Sequence, residues 1–578
     1  MNLDGREFNI KIDATHSDNI TEIYSSHITN HLAILTQEGR ELSQVHIFEW
    51  KQNHEILELE LEYSTKEQDK KKHFWGGFDD DGCVFFRMEQ SNVPESWKFL
   101  KWYFAKNRPL SEKDAGYFPE MIGKSRKDWI WRNQITTTKS MLNGKGDVIQ
   151  ARVGTGHSRV DGELYAIVDY EDASVGQISK ISINQDTGAP ILHNNAEFVT
   201  LTWISSKLPN DETGDIPLGE LKDFLFIQEK KILFHINENG TSKLLFADTE
   251  SPEDAYQINL DQVEEACGGK VWINVMKSSH DNKTIVLEIM NYNVRSHLWL
   301  YHIEANVFSR FTTPADVFDI TTVSSTFPTS LANYGQISMQ YLKVEQLNKK
   351  SSKGTVILFH GGPAIQTHVG RYFDRVVTLV KAGYTVIAPN PAGSLGRGGK
   401  HINLDRGEHR IQQFNAQVIP FVEKFINYRP VHLLGGSYAG WLITKILNHE
   451  IARKIESAVV RNGIVDWRIF TKNTSHYRKR HRAWEYVGED SFESEKASGV
   501  LDQLSPGHEL KCSNILFFTG KKDRRVPSFS TYKFLEECGF SHSEIINIRT
   551  EYPTEGHKIK KYKNRIEIME KTLELFLN

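Results

Sequence analysis

Cysteine is scarce in this chain, with four residues among 578, at Cys83, Cys267, Cys512 and Cys538. Thiols so widely scattered suggest no disulfide framework, which excludes the small stapled secreted scaffolds. Long apolar runs are missing too: no window approaches the roughly 18 uninterrupted residues of a membrane span, so no membrane association is expected. The opening Met1-Asn2-Leu3-Asp4-Gly5-Arg6-Glu7 lacks the basic and then apolar regions of a secretion signal, and the cytoplasm is the expected location. Nor does one sign of charge dominate. Lys and Arg number 70 against 74 Asp and Glu, a net charge of −4 that gives no reason to expect a nucleic-acid partner. Metal-ligand clusters are also wanting. His27 and His31 stand four apart, a spacing that suits a metal on a helix, but their surroundings read as strand and no third ligand is near, so neither metal nor cofactor is expected.

What is present is an ordinary globular composition, 39% apolar and 25% charged, in a chain too long for one core. Two textures divide it. Residues 1–330 carry short apolar or alternating runs such as Val45-His46-Ile47-Phe48-Glu49-Trp50, Ile56-Leu57-Glu58-Leu59-Glu60-Leu61, Phe224-Leu225-Phe226-Ile227 and Ile285-Val286-Leu287-Glu288-Ile289. Turn words such as Asn237-Glu238-Asn239-Gly240 and Asp80-Asp81-Gly82 separate them, with no long helix between, which argues for an all-β domain. At roughly 40–50 residues per propeller blade the segment would hold about seven; a pair of β-sandwiches is the alternative. The boundary is expected near Ser330 to Gly335, with residues 331–578 forming a second domain of α/β type.

Chemistry concentrates in that second domain. Gly435-Gly436-Ser437-Tyr438-Ala439-Gly440 follows the buried-strand run Val431-His432-Leu433-Leu434 and precedes a helical pattern from Trp441 to Leu447. The serine therefore sits at a strand-to-helix elbow, where small neighbours let strand and helix approach closely. Ala439 departs from the usual glycine at the fifth position of such an elbow. A hydroxyl becomes a useful nucleophile when an imidazole takes its proton and a carboxylate orients that imidazole. Asp523, after the strand pattern Asn514 to Gly520, and His557, after the strand-like run Glu544-Ile545-Ile546-Asn547-Ile548-Arg549 and before a terminal helix Ile559 to Leu577, supply both. Ser, Asp and His arrive in the chain order of an α/β-hydrolase triad. His360-Gly361-Gly362-Pro363 follows the strand Thr355 to Phe359, where such folds place an oxyanion donor, so the N–H groups of Gly362 and Tyr438 are the expected oxyanion hole. Each such donor is worth about 3 kcal/mol.

These words, together with Gly-Tyr-Thr-Val-Ile-Ala-Pro-Asn-Pro-Ala-Gly-Ser at 383–394, Asp-Trp at 466–467, Ser-Pro at 505–506 and Asp-Arg-Arg-Val-Pro at 523–527, resemble the catalytic domain of the prolyl oligopeptidase family, most closely its acylaminoacyl-peptidase branch. The resemblance implies an N-terminal propeller that gates a hydrolase, with short peptides or small amides and esters as substrates and folded proteins excluded. It also implies that Arg525 grips a substrate carbonyl. Trp467 could shape the first substrate pocket or belong to the core. Two departures stand out: Ala392 replaces the arginine of the family's usual Asn-x-Arg-Gly-Ser, and an acidic residue is replaced by one of Gln412, Gln413 or Asn415.

The reading is a serine peptidase working through a covalent Ser437 intermediate. An esterase, thioesterase or peptide-modifying transferase could use the same machinery, and a silent hydrolase-fold binding protein would share its shape. Homo-oligomerisation is left open. The basic run Arg478-Lys479-Arg480-His481-Arg482 reads as a solvated helix face.

Overall fold

The computed structural model describes the backbone of twelve strands between Ile20 and His193, and the chain with its side chains over residues 219–577, apart from short loops and residues 475–486 and 488–491. The basic run at 478–482, His27 and the Asp80-Asp81-Gly82 turn lie outside the described residues.

Among the described residues, the N-terminal part forms five four-stranded antiparallel sheets, each made of consecutive strands. They span Ile20–Ser64, Phe74–Thr137, Val148–His193, Gly219–Ile258 and Trp272–Arg310. This blade-like meander is the pattern of a propeller. These five sheets are counted among the described residues alone, and the expected number of about seven blades also draws on stretches that lie outside them. The turn word at 237–240 is a hairpin turn, with Asn239 at φ 49° and Gly240 at φ 81°, the paired positive values that a tight hairpin needs.

The C-terminal domain is built on one eight-stranded sheet: β1 Ile320–Leu331, β2 Gly335–Gln346, β3 Thr355–Leu358, β4 Thr385–Asn390, β5 Val431–Gly436, β6 Ser457–Arg461, β7 Ile515–Gly520 and β8 Arg549–Tyr552. Their spatial order is β1-β2-β4-β3-β5-β6-β7-β8. The strands from β4 to β8 run parallel, with β2 antiparallel to β4. β1 pairs with β2 from Ile320↔Gln346 to Leu331↔Gly335. The sheet thus begins at Ile320, upstream of the boundary expected near Ser330. The β-branched run Ile320-Thr321-Thr322-Val323 belongs to this hairpin rather than to the last sheet of the N-terminal part.

Helices cover both faces. Helix α1 (Asp374–Ala382) and the terminal helix α3 (Tyr562–Leu577) lie on one side, while α2 (Tyr438–Asn448) lies on the other. Strand β5 is buried on both faces: Leu433 packs into the α2 layer and Leu434 into the α1/α3 layer, and its one polar ring, His432, is buried 2.8 Å from Ser457 Oγ. The run Glu544 to Arg549, expected as the last strand, is mostly helix, His542–Ile548, followed by β8. Ser541 and Glu544 form a capping box, with the Ser541 amide donating to Glu544 at 2.8 Å, and that local signal overrides the β-branched composition.

The hairpin turn docks on the hydrolase. Asn237 Nδ2 donates to Gln366 Oε1 at 2.7 Å, the Gly370 amide donates to the Gly240 carbonyl at 3.3 Å, and the Trp272 and His368 rings pack with centroids 3.8 Å apart and planes tilted by 37°.

Candidate active site

Strand β5 ends in Gly436 and helix α2 starts at Tyr438, which leaves Ser437 alone to turn the chain. It does so at φ 56°, ψ −125°, a conformation that a residue with a Cβ adopts only under constraint. Three hydrogen bonds supply the constraint. The Ser437 amide donates to the Arg461 and Asn462 carbonyls at 3.1 Å each, and the Ser437 carbonyl accepts from Ile464 at 2.9 Å. The glycines around it are demanded by close approach: a Cβ on Gly436 would lie 2.4 Å from the Arg461 carbonyl oxygen, and one on Gly440 2.4 Å from Gly463 Cα. Ala439 is tolerated at the fifth position because Gly435 faces it, where a Cβ would stand 2.8 Å from the alanine methyl.

Three of the expected residues converge. His557 Nε2 lies 3.0 Å from Ser437 Oγ, and its Nδ1 lies 2.7 Å from Asp523 Oδ2. Asp523 comes from the loop after β7, and its other oxygen, Oδ1, accepts the Arg525 and Val526 amides at 2.8 and 3.0 Å. Those two donors fix the orientation of the carboxylate. Its side chain is wholly buried, while the imidazole keeps 15% exposure toward the open side.

The His557 loop is held from below. Asn462 donates through Nδ2 to the carbonyls of Gly556 and His557 at 3.2 and 2.8 Å, and its Oδ1 accepts from Gly520 at 2.7 Å. Glu555 accepts from the amides of Lys560 and Lys561 and from Asn564. Burial works against the charge of Glu555, but these donors outweigh it and hold the carboxyl below its usual range. Neither Asn462 nor the role of Glu555 was expected from the sequence; the available signal was an Asn-Gly pair directly after a strand that borders the elbow.

The His-Gly-Gly loop abuts the serine. A Cβ on Gly361 would lie 3.3 Å from Ser437 Cβ, and Gly362 follows at φ 135°. His360 reaches the Gly361 carbonyl at 2.6 Å and Ser394 Oγ at 2.9 Å, and burial lowers its pKa to about 4. Tyr438, the first residue of α2, donates its hydroxyl to Asp405 Oδ1 at 2.8 Å. Asp405 is paired with Arg410 at 3.1 Å, both side chains essentially sealed from water, and the guanidinium lies over the rings of Tyr438 and Trp467.

Trp467 is part of that packing, not an open pocket wall. It is 0% exposed and touches the rings of Tyr438, Trp441 and Phe470. Arg525 sits on the Asp523 loop, half-buried, with its carbonyl accepting from Thr474. The departure at Ala392 has a structural counterpart: its amide donates to Gln417 Oε1 and its carbonyl accepts from Gln413 Nε2, each at 2.7 Å. Neutral amides thus bind the backbone where the family resemblance implies an ion pair. No group of three or more potential metal ligands occurs among the described residues.

Residues 371–578 match the sequence profile of the prolyl oligopeptidase family. Over these residues the chain is similar to that family. An uncharacterized peptidase, YuxL, of Bacillus subtilis is 26% identical over 192 residues, covering 32% of this chain and 28% of the relative. A dipeptidyl-peptidase 5 of Schizosaccharomyces pombe is 27% identical over 135 residues, 21% of this chain and 19% of the relative. The matched stretches therefore span less than a third of these curated relatives. Solved structures extend the likeness to the whole fold. A puromycin hydrolase gives a TM-score of 0.60 at 14% identity, covering 94% of this chain and 75% of that one. Prolyl oligopeptidase B from Galerina marginata gives 0.64 at 12%, covering 97% and 72%. The acylaminoacyl peptidase of Pyrococcus horikoshii gives 0.58 at 12%, covering 96% and 88%. The C-terminal domain thus carries a β-propeller-type partner, as in those enzymes.

Proposed function

We propose that the protein is a serine peptidase that hydrolyses short peptides or acylated amino acids through an acyl-enzyme. The observation that carries this reading is His557 bridging Ser437 and Asp523 at 3.0 and 2.7 Å, with the serine on a strained elbow. In the reaction, Ser437 Oγ attacks the scissile carbonyl as His557 Nε2 takes its proton. Asp523 holds the Nδ1–H tautomer and stabilises the imidazolium. Amides of Tyr438 and Gly362 receive the developing oxyanion, a contribution of about 3 kcal/mol per donor. His557 returns the proton to the leaving amine, and water then repeats the sequence to free the acid. Arg525 is assigned to a substrate carbonyl, since a guanidinium keeps its charge and fixed fork of donors at any working pH.

The propeller-type domain is assigned the role of a filter that admits short peptides and small amides. The names of the structural neighbours, puromycin hydrolase and acylaminoacyl peptidase, agree with such substrates. No helix among the described residues is long and apolar enough to cross a membrane. The free thiols of Cys267 and Cys512, both buried, suit the cytoplasm.

A fluorophosphonate probe tests the reading together with a matched peptide amide and ester. We expect the probe to label the wild type and not Ser437→Ala, and the amide to be cleaved. Labelling without cleavage of any amide, alongside rapid ester hydrolysis, would move the assignment to an esterase.

A further inference from the structure

The Tyr438 amide is one of the two assigned to the oxyanion, and the Tyr438 side chain is anchored deep in the protein. Its hydroxyl donates to Asp405 Oδ1 at 2.8 Å, and the guanidinium carbon of Arg410 lies 5.2 Å from its ring centroid. Arg410 stands in the short helix His409–Gln413 and clasps Asp405 at three points. Its Nε donates to Oδ1 at 3.1 Å, and its Nη2 donates to Oδ2 at 3.2 Å and to the Asp405 carbonyl at 2.6 Å. Asp405 is seated by the chain as well. A Cβ on Gly393, which sits at φ 93°, would stand 2.1 Å from the Asp405 Cβ, so the loop after β4 lies directly against it. All three side-chain owners are buried, Tyr438 and Asp405 at 3% exposure and Arg410 at 0%.

Stability alone does not account for this arrangement. Two charges withdrawn from water add little net stability even when well paired, and apolar side chains of similar volume often do better. Packing alone does not hold the ring either. Trp441 and Trp467 lie against it, with centroids at 5.4 and 6.4 Å, but Tyr438 also borders a small cavity lined by Ala392, Ser394, Gln413 and Leu442. That cavity is on the scale of one water molecule. Protein interiors are otherwise close-packed, so a ring beside such a gap depends on the bond at its hydroxyl to keep its place.

The consequence lies in the backbone. The Tyr438 amide belongs to the peptide that joins Ser437 to α2, so its direction follows the Tyr438 backbone. A ring tethered at its far end restricts the Cα–Cβ bond, and with it that backbone. An oxyanion donor has to be aimed at the point where charge develops, not merely lie near it. Building on the peptidase reading, we propose that Asp405, locked by Arg410, is a positioning residue for the reaction: by holding the Tyr438 hydroxyl it aims the Tyr438 amide at the oxyanion. Asp405 and Arg410 act through Tyr438 and not on the substrate.

The test is Tyr438→Phe, which removes the hydroxyl and keeps the ring and the amide. We expect kcat to fall about tenfold, part of the loss that follows deletion of an oxyanion donor outright, with KM unchanged and the fold intact by circular dichroism. A peptide boronic acid reads the donor without turnover. Ser437 Oγ adds to boron as His557 takes its proton, and the tetrahedral adduct places an oxygen in the oxyanion site. Its affinity should fall by the same factor as kcat, while the affinity of the carboxylic-acid product of the same peptide stays unchanged. Asp405→Asn should also lower kcat, and the double variant should be no slower than the slower single one, because both substitutions act on one bond. Wild-type kcat and boronate affinity in Tyr438→Phe would overturn the proposal. So would a loss that appears in KM or falls equally on boronate and product, which would make the hydroxyl a part of the substrate pocket. A double variant slowed by the product of the two single factors would show that Asp405 acts by another route. If the wild type cleaves no amide and the boronate still loses affinity in Tyr438→Phe, the peptidase reading fails and the positioning role stands. If the wild type binds no boronate, both fall.

Discussion

Asn462 Nδ2 lies 2.8 Å from the carbonyl oxygen of His557, and its Oδ1 accepts the Gly520 amide at 2.7 Å. One side chain from the end of β6 therefore ties the histidine loop to the strand that leads to Asp523. Because Asn462 sits at φ 44°, alanine there would add backbone strain, whereas Asn462→Gly removes only the side chain. We expect Asn462→Gly to lower kcat about 10-fold to 100-fold with KM little changed, since a loosened imidazole affects proton transfer more than binding. Steady-state kinetics on one peptide substrate check this; an unchanged kcat would show that the loop holds itself.

Asp523 uses its two oxygens differently, Oδ1 for the Arg525 and Val526 amides and Oδ2 for His557. In Asp523→Asn the carbonyl oxygen keeps the two amides, and the new NH2 faces Nδ1. The imidazole then presents a proton to Ser437 rather than a lone pair. Loss of kcat should be about 10⁴-fold with little loss of stability, read by kinetics beside a thermal melt. A loss under about tenfold would remove Asp523 from the proposed mechanism.

The legible parts of this chain were those fixed by local chemistry. Ser437, His360 and Asp523 each follow a strand that is largely apolar because both faces are covered, and such words stand out in one sequence. Residues whose roles depend on distant partners did not. Asn462 matters through Gly520 and His557, and Trp467 is enclosed by Arg410, Tyr438, Trp441 and Phe470, which a composition-based reading cannot assemble. Ile545 and Ile546 read as strand until the Ser541 and Glu544 cap is weighed. The edge strand Ile320–Leu331 was missed because its β-branched texture equals that of the preceding sheets.

Acid should destabilise the fold well before its carboxylates titrate. Burial lowers His235 to about 3, His360 to about 4, His401 to about 3 and His432 to about 4. In the unfolded chain the same imidazoles take up protons near the reference value of about 6.5. Below that pH the unfolded state binds more protons than the native one, so stability is fully present above about 6.5 and declines as pH falls toward about 4. Melting temperature should therefore drop steadily between about pH 7 and pH 5. A flat profile over that interval would mean that these rings reach water in the native state.

One turn of the all-β part docks close to the reacting groups. Gly240 donates to Asn237 Oδ1 at 3.1 Å and accepts from Gly370 at 3.3 Å, while Asn237 holds Gln366. Residues 366–370 follow the His360-Gly361-Gly362 loop whose glycine backs onto Ser437. A Cβ on Gly240 would stand 2.9 Å from the Val369 amide nitrogen, on a backbone at φ 81° that disfavours any side chain. Gly240→Val should thus push the docking loop away, at a cost of about 1–3 kcal/mol in stability, and slow both hydrolysis and fluorophosphonate labelling. Asn237→Ala, which removes the bond to Gln366 without a clash, should slow both to a smaller degree. If Gly240→Val melts earlier yet labels at the wild-type rate, the turn stabilises the domains without shaping the loop against Ser437.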